Sequence, residues 1–355
     1  MASERVAWID MAKAIGIVAI VWGHTIYGVD KPLTWVYQFH VPLFVALSGV
    51  TLSTGAAGFV AFVRRRAQTL LVPYLAFGIL SILGVALLAA LGGGTPAGRE
   101  TGLSSNLVNL VVASPDGNRM DWNSPLWFLP ALFLLALVTY PLLLLDRRVG
   151  RRRLVLWLAL PIAGVVGHLV GARWHDAGLP LAADSAATLL VWYLLGAAAA
   201  PAVRAWQPPV ARRAVWWAAA TVLLALSLAA YLASPSGIDY TVPSYGPSWL
   251  FYPGALAGVL GSCLVAALWT PRWGVELGRR SMAVLVTHRP ILGVLQVAVP
   301  LTAVHLVGEG RAVDVAVGLV VLVLVVLIGL VVDRLLRPWV PWLLGVRPTR
   351  LARDQ

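Results

Sequence analysis

Charge is what this chain has least of. Only 12% of its 355 residues are Asp, Glu, Lys or Arg, about half the share of an ordinary soluble domain. A chain so poor in charge cannot cover itself with a water-facing surface. Cysteine is scarcer still. The single Cys263 excludes a disulfide framework, a cysteine metal site and paired-thiol chemistry. Six histidines are scattered along the chain, and no His, Asp or Glu pair stands at i, i+3 or i+4 within an apolar run, so no metal centre is expected. Connections long enough to fold a separate soluble unit are also missing; the longest runs over about 92–123. The first apolar run has no A-x-A cleavage pattern after it and leads straight into a second, which argues against a removed signal peptide.

What is present is hydrocarbon. Hydrophobic residues make up 59% of the chain and the mean hydropathy is +0.82. A helix needs about 20 apolar residues to cross a bilayer. Runs of that kind fall at 12–29, 33–53, 69–91, 124–145, 154–171, 181–200, 214–233, 248–269, 281–301 and 312–336. The fold expected is therefore an all-α integral membrane protein of about ten transmembrane helices. It forms a single domain over 1–355, with a short tail from about 346, and sits multi-pass in a cell membrane among its lipids.

The 27 Lys and Arg outnumber the 15 Asp and Glu, yet they fall in short clusters between apolar runs rather than in a nucleic-acid-binding patch. With ten spans both termini share one side, and 21 of the 27 basic residues lie there. Five lie opposite, and Arg289 stands inside a span. By the positive-inside rule the termini are cytoplasmic.

Against this background His24 and His40 stand out, because an imidazole inside a span is costly to keep and by default marks function. It is also the side chain best suited to pass a proton near neutral pH. The first two spans form a hairpin around Asp30-Lys31-Pro32. His24 then lies about 8 Å and His40 about 10 Å below the outer surface, at 1.5 Å per residue. Lys13 precedes His24 by eleven residues, three turns plus about 20°, so the two share one helix face roughly 16 Å apart. A cation near the cytoplasm and a base deeper in suit a long donor with an anionic head. An acyl-CoA, with phosphates at one end and a thioester at the other, has that shape.

The same residues carry a likeness. Arg5-Val6-Ala7-Trp8-Ile9-Asp10-Met11-Ala12-Lys13-Ala14-Ile15-Gly16, ending at Gly23-His24, resembles the opening of the acyltransferase-3 membrane family, closest to its fucose 4-O-acetylase-like branch. Also similar are Phe39-His40-Val41-Pro42-Leu43-Phe44 followed by Leu47-Ser48-Gly49, the stretch from Arg66 to Pro73-Tyr74, Leu126-Trp127-Phe128-Leu129, and Gly278-Arg279-Arg280-Ser281-Met282 running to Thr287-His288. The resemblance implies transfer of an acyl group, commonly acetyl from acetyl-CoA as cosubstrate, to a hydroxyl of a glycan or related acceptor, with no bound cofactor. Two departures stand in the motifs. Lys13 occupies a position that many members give to Arg, and Lys cannot make the bidentate contact. Thr69 replaces the second Arg of an Arg-x-x-Arg pair, with Arg64 and Arg65 as its candidate substitutes.

On this reading His24 is the general base and His40 its assistant. The plainer alternative is a pair of buried histidines tying helices together. Lys13, Arg64, Arg65 and Arg66 form an electropositive mouth for the donor's phosphates, unless they only signal topology. His288 and Arg289, expected nearer the cytoplasm than the histidine pair, are candidates for contact with the donor. Tyr74, Trp122 and Trp127 are candidates to stack on a sugar, where the routine reading is an interfacial aromatic belt. Asp10 is expected to cap the first helix. The rival function is a transporter using the intramembrane His and Arg residues as a proton relay or substrate site.

Overall fold

The structure is a computed structural model; it describes residues 6–26, 31–55, 58–90, 102–114, 120–151, 153–174, 178–207, 212–298 and 311–346. Among these no named strand occurs, and nine helices are long and apolar enough to cross a membrane. In chain order the helices are α1 (Ala7–Thr25), α2 (Lys31–Thr34), α3 (His40–Val50), α4 (Gly58–Arg66), α5 (Val72–Ala90), α6 (Leu103–Val112), α7 (Phe128–Val149), α8 (Leu154–Trp174), α9 (Ala183–Ala205), α10 (Arg213–Ala233), α11 (Ser248–Leu268), α12 (Arg272–Arg279), α13 (Ser281–Ala298) and α14 (Arg311–Leu336). The run expected at 281–301 is α13, a shorter apolar helix. Asp30 of the expected hairpin turn, residues 92–101 and 115–119 of the 92–123 connection, and the tail after Val346 lie outside the described residues.

Four departures from the expected spans have physical causes. Helix α1 starts at Ala7 rather than 12 because Asp10 and Lys13 are accommodated inside it as a salt bridge of 3.2 Å. Asp10 consequently caps nothing: Val6 holds the N-cap position, without a side-chain bond. The second span is broken. A 3₁₀ turn at Trp35–Gln38 ends at Phe39, and α3 begins afresh at His40. Pro42 then falls in the first turn of a new helix, where its missing N–H costs nothing. The third run extends down to Gly58 as one 33-residue unit. It carries a π segment at Ala67–Leu71 whose exit bond runs from the Val72 N–H to the Ala67 carbonyl. Pro73 cannot bond back to Thr69, and widening the turn there absorbs the mismatch. Finally, α6 and the amphipathic α12 are too short or too charged to have read as spans.

The centre of the bundle is α1 and α3, whose windows are mostly buried, whereas α8 and α10 turn most of their surface outward. Two glycines bring α3 against α9: a Cβ on Gly49 would strike the Tyr193 carbonyl, and one on Gly196 the Ala46 carbonyl. Such close backbone approach is how apolar helices gain packing energy when lipid removes the hydrophobic drive between them. Polar ties then fix the site's walls. The Asn123 amide donates to Ser81 Oγ at 3.1 Å and to the Val286 carbonyl at 3.0 Å, joining the start of the α7 span to α5 and α13.

Candidate functional site

His24, at the end of α1, and His40, at the start of α3, line one cavity of about 390 Å³. The break at Phe39 makes this possible, because it sets His40 at a helix start. His40 is buried, and its Nδ1–H donates to the Val36 carbonyl at 2.7 Å. A carbonyl only accepts, so Nε2 carries the ring's lone pair. Tyr37 and Tyr240 stand edge-on to the His40 ring at 5.2 and 5.9 Å. The Tyr240 hydroxyl donates to the Tyr37 carbonyl at 3.0 Å, and that of Tyr37 to the Gly23 carbonyl at 2.8 Å. Burial pushes the Tyr240 phenol well above its ordinary value, so it remains neutral.

A third histidine packs beside His24. His288, fully buried on α13, packs its ring 5.3 Å from that of His24 with the planes tilted by 38°. Its Nδ1–H donates to the Leu285 carbonyl at 2.8 Å. Two nitrogens are then left over. His288 Nε2 and His24 Nδ1 are both buried without a hydrogen-bond partner among the described residues. One nitrogen has an available lone pair, and the other can carry a proton. Asp121, Ser124, Trp127, Asp239, Thr241 and Arg289 complete the polar and aromatic part of the cavity wall.

Phe128 and Leu285 are shared with a second cavity, of about 450 Å³, into which Lys13, Arg204 and Arg279 open beside Ser48 and Thr51. Asp10 is the carboxylate here: Lys13 contacts it at 3.2 Å and Arg279 at 3.3 Å. Arg204 is anchored to the Val50 carbonyl. Arg279 is shared in turn with a third space, an open recess of about 740 Å³. Its wall carries Arg65, Arg66, Arg279, Arg280 and Arg337 against one acid, Glu276. The recess is held in shape by Asp333. Fully buried, that carboxylate accepts from Arg280 at 3.0 Å and from both ends of the Arg337 guanidinium at 2.9 and 2.5 Å. Hydrogen bonding to Asp333 raises the affinity of Arg337 for its proton. Arg65 donates to the Thr54 carbonyl at 2.7 Å, and Arg66 lies over the Phe62 ring at 5.6 Å.

The expected site residues are thus distributed over one string of spaces. His24, His40, Trp127 and Arg289 meet at one end, Lys13 in the middle, and Arg65 and Arg66 at the other end. Four of the expected residues are placed elsewhere. Arg64 is exposed and does not line the recess. His288 backs His24 instead of facing the donor mouth, because α13 packs along α1 and brings it level with that ring. Tyr74 is buried with its hydroxyl donated to the Leu110 carbonyl at 2.6 Å, a tie that holds α6 to α5. Trp122 lines a neighbouring cleft. Missed by the sequence reading were Asp121, Asp239, Tyr240, Thr241, Arg204, Arg279, Arg280 and Arg337. Asp239-Tyr240-Thr241 did carry a signal: an acid and an aromatic side by side in a short loop of an acid-poor chain.

The described residues thus form an all-helical membrane protein in which a buried histidine cavity and a basic recess both border one middle cavity. The chain belongs to the acyltransferase-3 family: the family model described as an acyltransferase domain matches residues 6–334. No curated protein and no solved structure matches the chain.

Proposed function

We propose that this acyltransferase moves an acyl group, acetyl in the simplest case, from acyl-CoA to a hydroxyl of a sugar-containing acceptor. The observation that carries this reading is the string of three spaces linked by shared walls, from the arginine recess past Lys13 to the histidines. A CoA donor has the complementary profile. Its phosphates suit the guanidinium cluster, for which charge-assisted bonds are the strong ones. Its narrow pantetheine arm suits a path past Phe128 and Leu285, the wall residues that the two cavities share. With both termini cytoplasmic, the donor arrives from the side where the recess opens.

His24 is the general base. A small turn of the His24 ring would give its Nδ1–H to His288 Nε2, placing the lone pair of His24 on its own Nε2 and holding the ring in that tautomer. The acceptor O–H then attacks the thioester carbonyl while Nε2 takes its proton. The carbon–sulfur bond breaks, and the departing thiolate receives that proton, leaving an ester and free CoA thiol. The balance needs no acyl-enzyme, and Cys263 has no part in it. His40, with Nε2 as an acceptor, orients the incoming hydroxyl. Tyr37, Trp127 and Tyr240 offer flat faces and Asp121, Asp239 and Thr241 convergent polar groups, a mixture suited to a sugar.

The test is thiol release from acetyl-CoA by purified protein in nanodiscs, combined with mass spectrometry of surface glycans with and without the gene. Release that depends on His24, together with a glycan mass difference of one acyl group, is expected. No mass difference, and thiol release equal in His24→Ala, overturns the reading.

A further inference from the structure

A fourth space joins the histidine cavity from the side. It is a cleft of about 300 Å³ between α5 and α13, and it shares Asp121 and Arg289 with that cavity. Away from this shared end its wall is dominated by apolar groups. Two of its wall residues, Leu80 and Val294, are 55% and 53% exposed on the outer surface of the bundle. In a bilayer that surface meets lipid chains. The cleft therefore leads from hydrocarbon at one end to a charged pair of residues and the reactive cavity at the other.

Two of its wall residues are glycines on facing helices. A Cβ added at Gly84 or at Gly293 would meet nothing within 4 Å. Neither glycine is there for close packing, since packing would place a neighbour where the side chain is missing. A helical glycine costs about 1 kcal/mol relative to alanine, and here it leaves open space. Both glycines keep the cleft clear.

We propose that the cleft is a lateral entrance for a membrane-resident acceptor. The acceptor's hydrocarbon tail lies between α5 and α13 while its polar head passes Asp121 and Arg289 into the histidine cavity. A donor's acyl chain needs no opening to lipid, because the donor comes from water through the recess; an amphiphilic acceptor does need one. The purpose of the cleft rests on the acyltransferase reading, but its occupancy can be measured without any transfer.

The experiment uses the full-length protein in nanodiscs and two photoreactive probes, a long-chain alkyl glycoside and a long-chain acyl-CoA, each with a diazirine in its chain. Adducts are mapped by peptide mass spectrometry in the wild type and in Gly84→Leu/Gly293→Leu. Both substitutions raise helix propensity, and an unchanged or higher Tm verifies folding. The glycoside is expected to label residues 77–88 and 287–294. Filling the cleft should cut that labelling about tenfold, the effect of excluding two or so buried methylenes. Glycoside labelling spread over the outward helix faces, and unmoved by the double substitution, overturns the proposal. So does labelling of the same residues by the acyl-CoA probe with equal sensitivity to filling, which would make the cleft a donor acyl pocket. A failed cleft leaves the thiol-release test standing, and a failed thiol-release test leaves the labelling interpretable.

Discussion

The two ends of the proposed donor path handle polarity in opposite ways. In the recess and the middle cavity beside it carboxylates answer four cations: Asp333 takes Arg280 and Arg337, Glu276 takes Arg280, and Asp10 takes Lys13 and Arg279. In the histidine cavity two ring nitrogens are left without partners. A buried polar atom without a partner is expensive, and here two of them lie on neighbouring imidazole rings. On the proposed function the paired end holds a polyanion and stays folded, and the unpaired end accepts a proton. The difference separates binding from chemistry along one path.

Removing the base breaks the comparison most severely. His24→Ala should lower kcat by about 10²–10⁴-fold, the usual contribution of a positioned base, with KM for acetyl-CoA nearly unchanged. A large rise in KM with kcat held would move His24 to the binding end. Next comes the scaffold of the recess. Asp333→Asn leaves two guanidiniums facing a neutral amide. Breaking a buried pair costs 3–5 kcal/mol, but both arginines are partly exposed and screened. A loss of about 2–3 kcal/mol in unfolding free energy follows, measurable by denaturant titration; an unchanged midpoint would show the network to be ornamental.

His288→Ala probes the link between the rings. Losing the orienting bond proposed for the reacting rings should lower kcat about tenfold, leaving KM and Tm close to wild type. A purely structural histidine would instead lower Tm and leave kcat alone. The smallest effect belongs to the mouth. Arg279→Ala, at a side chain 41% exposed, should raise KM for acetyl-CoA about three- to fivefold while kcat holds, as a partly screened charge contact allows. Added salt should raise the wild-type KM in the same direction. If salt has no effect on KM, the recess does not bind the phosphates.

The helices were legible because the signal is local. An apolar run of sufficient length between charges has little choice in a bilayer but to close its own backbone hydrogen bonds. Hence α7 to α11 and α14 fall close to where the runs did. The break at Phe39 was less legible: Pro42 marked the neighbourhood, but the interruption lies on its N-terminal side, where the proline is harmless. In the site, Lys13 and His24 could be related beforehand because a single helix joins them. His288 and Arg279 could not, since hundreds of residues separate them from His24 and Asp10, and 53 separate Arg280 from Asp333. Clustered arginines also read as topology signals whether or not they converge on anything.

What the sequence by itself determined is the class of protein, the spans, and the pairing of a cation with a histidine on one helix face. Helical periodicity and the cost of placing charge in lipid act within a single segment, so they can be read from the chain alone. Only the tertiary structure decided that His288 backs His24, that Tyr240 stands edge-on to His40, and that five arginines share one recess. Those meetings depend on which helix packs against which, and that choice is made by small residues such as Gly49 and Gly196 and by polar ties such as Asn123. Each acts between segments far apart in sequence, where spacing along the chain carries no information about contact.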